Sequence, residues 1–142
     1  MEKLSFGNMV LLYGATACVF FVIDLIWLGT AAKGLYDRHI GNLLREQVNW
    51  PAAILFYAIY IGGIQWFVLL PEIQSGSGVL RTAVMGGLLG LFAYCTFDLT
   101  ALALIRGWSA TIAAIDIAWG TVLTGTTAAI VMWMARAVFK IG

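Results

Sequence analysis

The chain has 142 residues, of which 62% are hydrophobic and 11% charged, and its mean hydropathy is +0.94. Soluble domains are roughly 45–50% apolar and about 25% charged, so this chain has too few polar side chains to cover a soluble globule. The net charge of +1 comes without a basic block, which disfavours nucleic acid as a partner, and the composition therefore predicts an integral membrane protein.

Four apolar segments are long enough to cross the hydrocarbon core, which takes about 20 helical residues. They cover residues 9–31, 50–70, 82–105 and 110–134. The first run is too long for the core of a signal peptide, so we expect it to remain as a span. We predict one all-α domain over residues 1–142, built as an antiparallel bundle of four transmembrane helices.

The connections between the predicted spans differ in length. Residues 33–49 mix apolar and charged residues at roughly helical spacing, so a short interfacial helix and an ordinary coil both stay open here. The stretch PEIQSGSGV, which begins at Pro71, predicts a turn directly after the second span. The stretch RGWS, from Arg106 to Ser109, is so short that the third and fourth spans must form an antiparallel pair.

Gly86 and Gly90 form a GxxxG pattern in the third predicted span. Small residues at this spacing let two helix backbones approach closely. The pattern favours a close helix contact within the chain, and a homodimer stays an alternative.

The two membrane faces are defined here as side A, where the first span begins, and side B, where it ends. Each side receives the same number of basic residues: Lys3, Arg81, Arg136 and Lys140 on side A, and Lys33, Arg38, Arg45 and Arg106 on side B. The positive-inside rule therefore predicts no orientation. Tyr36, Trp50 and Trp108 are expected at the side B interface as ordinary belt aromatics.

Asp24, Asp98 and Asp116 lie within the predicted spans. Counting at 1.5 Å per residue places all three roughly 9–10 Å below side B. Tyr57 falls at the same depth and Tyr60 about one turn deeper, so every span supplies a polar group to one layer. An ionised aspartate costs about 2.5–3.5 kcal/mol at the centre of a span, so we expect these carboxyls to face one another, share protons, meet a cation or line a wet cavity.

The layer suggests roles for its members if it carries chemistry. Asp98 is the expected general acid or base, Asp24 and Asp116 would tune it or hold a divalent cation, and Tyr57 would donate a proton. Five further residues are expected to contact a ligand: Trp27, Trp119, Tyr60, Tyr94 and Thr124. The sequence contains no metal-ligand spacing and no cofactor fingerprint, so no metal site is predicted and any cofactor stays unknown.

The stretches FVIDLIWLGT and AAIDIAWGTV, around Asp24 and Asp116, repeat the pattern D-x-x-W. The two spans run in opposite directions yet keep both aspartates near side B, so an inverted repeat does not explain the pattern. Positions i and i+3 share one face of a helix. The spacing therefore predicts that each indole shields or orients the carboxylate of its own motif.

Four segments carry a resemblance to a known family: FVIDLIWLG from Phe21, WPAAILFYAIYIGG from Trp50, GLFAYCTFDLTALA from Gly90 and IDIAWGT from Ile115. The chain resembles a bacterial family of predicted membrane proteins, domain-of-unknown-function family 2177, across nearly its whole length. The third segment usually reads YxTYDLTNxA in that family, whereas this chain has Phe97 and Ala101 at the second tyrosine and the asparagine. The resemblance implies a bacterial inner-membrane protein, and the fatty-acid-modifying enzymes encoded beside some relatives imply a lipid-like substrate.

Three functions stay open at this point, and whether the protein is an enzyme stays open with them. The carboxylate layer would bind or process a lipid-like or other small molecule, with membrane lipids as partners. It would alternatively serve a proton- or cation-coupled transporter, which we expect to be a dimer because four helices make a thin bundle. In a scaffold subunit the aspartates would only join helices, through Thr96, Thr100 or Thr121.

Overall fold

The structure, a computed structural model, describes residues 4–32 and 34–141. Its α-helices are α1 (Phe6–Gly29), α2 (Leu35–Ile40), α3 (Trp50–Ile64), α4 (Leu70–Gln74), α5 (Val79–Leu104) and α6 (Ala110–Ala137). A 3-10 turn, Gly41–Leu43, follows α2, and a π-helical segment, Gln65–Leu69, joins α3 to α4. Lys3 and Lys33, which were counted for the orientation, lie outside the described residues.

Four helical rods are long and apolar enough to cross a membrane: Phe6–Gly29, Trp50–Gln74, Val79–Leu104 and Ala110–Ala137. The prediction of an all-α protein with four transmembrane helices is confirmed. Three of these helices begin with a polar N-cap residue whose side chain accepts a hydrogen bond from a backbone N–H of the first turn: Ser5, Asn49 and Ser109.

The second rod continues past the predicted end at Leu70. The turn predicted within PEIQSGSGV is present, but it comes later than the predicted end of the span, because helix α4 runs on to Gln74 and the reversal follows at Ser75 and Gly76. Pro71 lies in the first turn of α4, where a missing N–H is tolerated. The wider π-helical segment directly before it shifts the hydrogen-bond register, so the rod accommodates the proline without ending.

The first loop contains a short helix, α2, which is one of the two alternatives that the sequence left open. It packs against α6, and its last residue, Ile40, is buried. Gly34 precedes the helix with a φ of 85°, a conformation that favours glycine. The loop therefore folds back over the side B end of the bundle.

Helices α5 and α6 form the closest contact of the bundle, and the GxxxG glycines lie in it. A Cβ at Gly86 would lie 2.7 Å from the Cβ of Ala128 and 3.0 Å from the carbonyl oxygen of Thr124. A Cβ at Gly90 would overlap the carbonyl oxygen of Gly120. The pattern thus mediates a contact within the chain, as expected.

Helices α3 and α5 diverge toward side B. The backbone of α5 approaches the π-helical segment Gln65–Leu69 in the side A half of the bundle more closely than it approaches α3, which it meets through the rings of Tyr94 and Tyr60. The fully buried apolar side chains accordingly concentrate toward side A: Leu12, Ile64, Leu69, Val131 and Met132. The side B half is left with a gap between two helices and with the polar residues described below.

Replacing Gly90 by alanine should destabilise the bundle. The added Cβ would meet backbone atoms of α6, which cannot move aside as a flexible side chain would, and overpacking of this kind typically costs about 1–3 kcal/mol. Reversible unfolding in mixed detergent micelles measures the loss. Gly14→Ala is the matched control, because a Cβ at Gly14 meets nothing within 4 Å; equal stability of the two variants would contradict the close α5–α6 contact.

Candidate functional site

The structure brings two of the three aspartates to one cavity of about 200 Å³ in the side B half of the bundle. Side chains from α1, α2, α3, α5 and α6 line it, among them Asp24, Tyr36, Tyr57, Tyr94, Asp116 and Trp119. The layer inferred from depth alone is therefore a set of neighbours in space, and the third carboxyl, Asp98, lies beside Asp116.

Asp24 is a fully bonded carboxyl. Its Oδ2 accepts a hydrogen bond from the hydroxyl of Tyr57 at 3.2 Å, and its Oδ1 accepts one from the indole Nε1 of Trp119 at 3.3 Å. The residue is buried, so these two donors replace the water that a surface carboxylate would bind. Asp24 thereby joins α1 to α3 and α6.

The two D-x-x-W motifs contact each other across the α1–α6 interface. Trp119 donates to Asp24 of the other motif, and its ring stacks on that of Trp27 with centroids 4.4 Å apart. That each indole orients the carboxylate of its own motif is therefore wrong, whereas the alternative, that it shields this carboxylate, stays a prediction. The physical reason is that α1 and α6 pack against each other here, so a long indole on one helix reaches the partner helix more readily than its own backbone turn.

Asp116 is bonded by a residue that the sequence did not single out. Its Oδ1 accepts a hydrogen bond from the hydroxyl of Tyr36, in α2, at 2.8 Å. Tyr36 was expected among the interface aromatics, and only the fold of the loop brings its hydroxyl over the site. Burial raises the pKa of the Tyr36 phenol, and the negative charge of Asp116 adds to that effect.

Asp98 is enclosed, with an exposed fraction of 0%. Neither of its oxygens accepts a hydrogen bond from a donor in the described part of the chain, and its polar neighbour is the carboxyl of Asp116. Asp98 forms no hydrogen bond with Tyr94, one helical turn earlier, or with Arg106, two turns later. An ionised carboxylate would cost several kcal/mol in such a place, so Asp98 carries a proton or faces a cation.

The alternative in which the aspartates join helices through threonines finds no hydrogen bond to support it among the described residues. The hydroxyls of Thr96, Thr100 and Thr121 each donate to a backbone carbonyl four residues earlier in their own helix. A threonine within a helix has this carbonyl in reach at all times, so it needs no partner on a neighbouring helix.

Tyr60 and Thr124 lie in the layer beneath the cavity. Their hydroxyl oxygens are 2.7 Å apart, and both residues are buried. They bond each other across α3 and α6, and neither lines the cavity with Asp24 and Asp116. Tyr94 does line it, and its ring occupies the space that the missing side chain of Gly120 leaves open.

A second, larger cavity opens from the same point toward the lipid. This groove has a volume of about 420 Å³ and lies between α3 and α5. Its lining residues are Phe56, Ala93, Tyr94, Phe97 and Asp116. Tyr94 and Asp116 belong to both cavities, so Asp116 stands where the apolar groove meets the polar cavity.

The carboxyls do not form a metal cage. No three His, Cys, Asp or Glu side chains converge closely enough to hold a metal ion within residues 4–32 and 34–141. A divalent ion usually takes six or more oxygen ligands, of which several come from carboxylates. The donor set of this site therefore fits a proton or an organic group better than a divalent metal.

The fold and the site define a four-span integral membrane protein with a carboxyl-bearing cavity in one half of its bundle. The chain belongs to the family described as predicted membrane protein DUF2177, which matches residues 9–133. No curated protein and no solved structure matches the chain. Phe97 is one wall of the groove.

Replacing Trp119 by phenylalanine should lower the free energy of unfolding by about 1–2 kcal/mol, because Asp24 loses a donor in a buried place. The aromatic stacking on Trp27 is retained in part. Unfolding in mixed detergent micelles measures the difference. Trp133→Phe, at a lipid-exposed position, should change stability by no more than about 0.5 kcal/mol; a loss as large as that of Trp119→Phe would speak against the bond to Asp24.

Tyr36 should ionise above the ordinary tyrosine value of 10.0. Because the folded pKa is raised, the stability that this group contributes is fully present below the unfolded pKa and is lost as the pH rises through the folded value. The tyrosinate absorbance of the wild type minus that of Tyr36→Phe reports the titration of this phenol. A difference titration at or below the ordinary value would refute the buried bond to Asp116.

Proposed function

We propose that this protein binds, from within the bilayer, a hydrophobic molecule that carries a small polar end. The observation that carries the proposal is the groove between α3 and α5, which is apolar along its length and ends at Asp116. Its volume of about 420 Å³ falls within the roughly 300–1,000 Å³ typical of small-molecule sites.

The walls of the groove suit a chain or ring that arrives sideways from the lipid. Phe56 of α3 and Phe97 of α5 are about half exposed, at 48% and 56%, on the two sides of the opening. Helices α3 and α5 leave the gap because they diverge toward side B. A molecule that is already dissolved in the membrane would therefore reach the site without crossing the polar surface.

The inner end of the groove suits a polar group. Asp116 has one oxygen bonded to Tyr36 and the other without a hydrogen bond among the described side chains, and the cavity behind it is lined by further polar groups. Asp116 is half-buried and borders the groove, so a ligand that supplies a donor would satisfy this oxygen away from bulk water. The hydrophobic part of the ligand would keep it in the bilayer, and Asp116 would orient its polar end.

The arrangement also distributes the roles that were expected from the sequence. Asp116 is the carboxyl that a bound molecule would touch, whereas Asp98 is enclosed and Tyr57 is engaged with Asp24. Any acid–base step would therefore pass through Asp116, with Asp98 behind it. Asp24, which has a donor on each oxygen, suits the structural role that was considered for a scaffold.

A lipid-like ligand and a bacterial inner membrane are parts of this proposal. Both rest on the family resemblance, and the lateral groove agrees with the first. A proton- or cation-coupled transporter is the second candidate. The adjacent carboxyls of Asp98 and Asp116 favour it, because intramembrane acids in contact are common in proton relays.

Filling the groove tests the binding proposal. Ala93→Trp would place an indole between the walls without altering a carboxyl, and Ala103→Trp would add the same indole at an exposed position of α5 outside the groove. Both proteins and the wild type are purified in mild detergent and analysed by native mass spectrometry for bound molecules. We expect a co-purifying hydrophobic molecule in the wild type and in Ala103→Trp, and its loss in Ala93→Trp.

Photo-crosslinking in bilayers gives an independent measurement with a defined probe. A long-chain alcohol that carries a diazirine near its hydroxyl should label peptides of α3 and α5 around the groove, and Ala93→Trp should reduce that labelling. Equal labelling of the wild type and Ala93→Trp, or labelling spread evenly over the lipid-facing helices, would contradict the proposal.

A further inference from the structure

We propose that the polar end of the bound molecule is a cation, so that the ligand class is a long-chain amine or quaternary ammonium compound. Its head group would contact the carboxylate of Asp116 at the aromatic inner end of the groove, and Asp98 would be a protonated acid that positions Asp116 by donating a hydrogen bond to it. This inference rests on the proposed function, and it names the chemistry that the same groove would select.

The first argument is a negative charge with which no basic side chain of residues 4–32 and 34–141 forms an ion pair. Three carboxyls meet in the side B half, and the described basic residues do not reach them. Arg81 pairs with Glu72 at 3.0 Å and Arg136 donates to the carbonyl oxygen of Ser77, both toward side A. A buried carboxylate requires a proton or a positive partner, and a cationic ligand supplies the partner that these residues do not.

The second argument is the unequal hydrogen bonding of the three carboxyls. Asp24 has a donor on each oxygen, Asp116 has one donor, and Asp98 has none. Asp98 is also fully enclosed, whereas Asp116 is half-buried and borders both cavities. Of the two adjacent acids, Asp98 is therefore the one that holds a proton and Asp116 the one that is left ionised toward the groove.

The third argument concerns how Asp116 is oriented. The hydroxyl of Tyr36 donates to its Oδ1 from the side of α2, and a protonated Asp98 within reach on α5 would donate from the other side. A neutral carboxylic acid in an apolar place can serve as a hydrogen-bond donor in this way. Two donors fix the carboxylate and leave an acceptor position that faces the groove.

The fourth argument is the aromatic lining. Phe56, Tyr94 and Phe97 border the groove beside Asp116. Aromatic faces attract ammonium groups, most strongly where water is excluded, and aromatic cages are a common way to recognise quaternary ammonium ions. The same carboxylate and rings would repel a phosphate or carboxylate head group, so the site would select against the anionic lipids that surround it.

Three probes with one dodecyl chain and different head groups test the inference: dodecylammonium, dodecanol and dodecyl sulfate. Binding to the wild-type protein in lipid nanodiscs is measured by competition against the crosslinking alcohol. We expect the ammonium probe to compete at least about tenfold more tightly than the alcohol, because an ion pair and cation–π contacts are added to the same chain. The sulfate probe should compete least.

The variants separate the two carboxyls. Asp116→Asn should remove the preference for the ammonium probe and leave competition by the alcohol. Asp98→Asn keeps a donor toward Asp116 and should retain the preference, whereas Asp98→Ala should reduce it. Alanine removes the donor without adding volume at an enclosed position, so the alanine variant avoids overpacking and is expected to fold. Asp37→Asn, at an exposed position of α2, is the charge-matched control and should behave as the wild type.

The outcomes distinguish this inference from the proposed function. Equal competition by the ammonium probe and the alcohol in the wild type, with both lost in Ala93→Trp, would overturn the cation and keep the groove. A preference that survives Asp116→Asn would also overturn it. Competition by none of the probes, with labelling unchanged by Ala93→Trp, would overturn the proposed function itself.

Discussion

The close packing of α5 on α6 is the constraint on which the rest of the structure depends. Gly86 and Gly90 remove the side chains that would hold the two backbones apart, and Gly120 makes room for the ring of Tyr94. Because these helices meet so closely, Asp98 on one lies beside Asp116 on the other. Helix α3 does not take part in this close contact, and the space between α3 and α5 toward side B is the groove. The glycines therefore place the two acids side by side at one end of that groove.

The bundle consequently has two halves with different physical characters. Toward side A, fully buried aliphatic side chains fill the interior, and ion pairing of Arg81 with Glu72 closes the end. Toward side B, the interior contains carboxyls, phenols and indoles around cavities. Polar groups within a membrane are costly unless they meet one another. Their concentration in one half confines that cost to the region where the proposed ligand would be bound.

Hydrogen bonds between distant parts of the chain define the roles of the carboxyls. Trp119 and Tyr57 satisfy Asp24, so that this residue joins three helices. Tyr36 reaches Asp116 from a short helix outside the spans, so the loop that contains it is part of the site. Asp98 is left without such a donor. The three carboxyls thus differ in how many hydrogen bonds they accept. Asp116, which accepts one and lines the groove, is the carboxyl that the proposed ligand would contact.

The amino-acid sequence by itself determined the membrane class, the four spans and the position of each aspartate along its helix, because hydropathy and a rise of 1.5 Å per residue depend only on local composition and helix geometry. It also indicated that Gly86 and Gly90 mark a close contact. It did not determine that the second span continues through Pro71, since the π-helical segment that permits this has no simple pattern. Nor did it determine which donor meets which carboxyl. Trp119 lies 95 positions from Asp24 and Tyr36 lies 80 from Asp116, and only the packing of α1, α2 and α6 brings these atoms together. Depth along a helix follows from counting residues, whereas the direction in which a side chain points, and the partner it meets there, is decided by how the helices rotate and pack against one another.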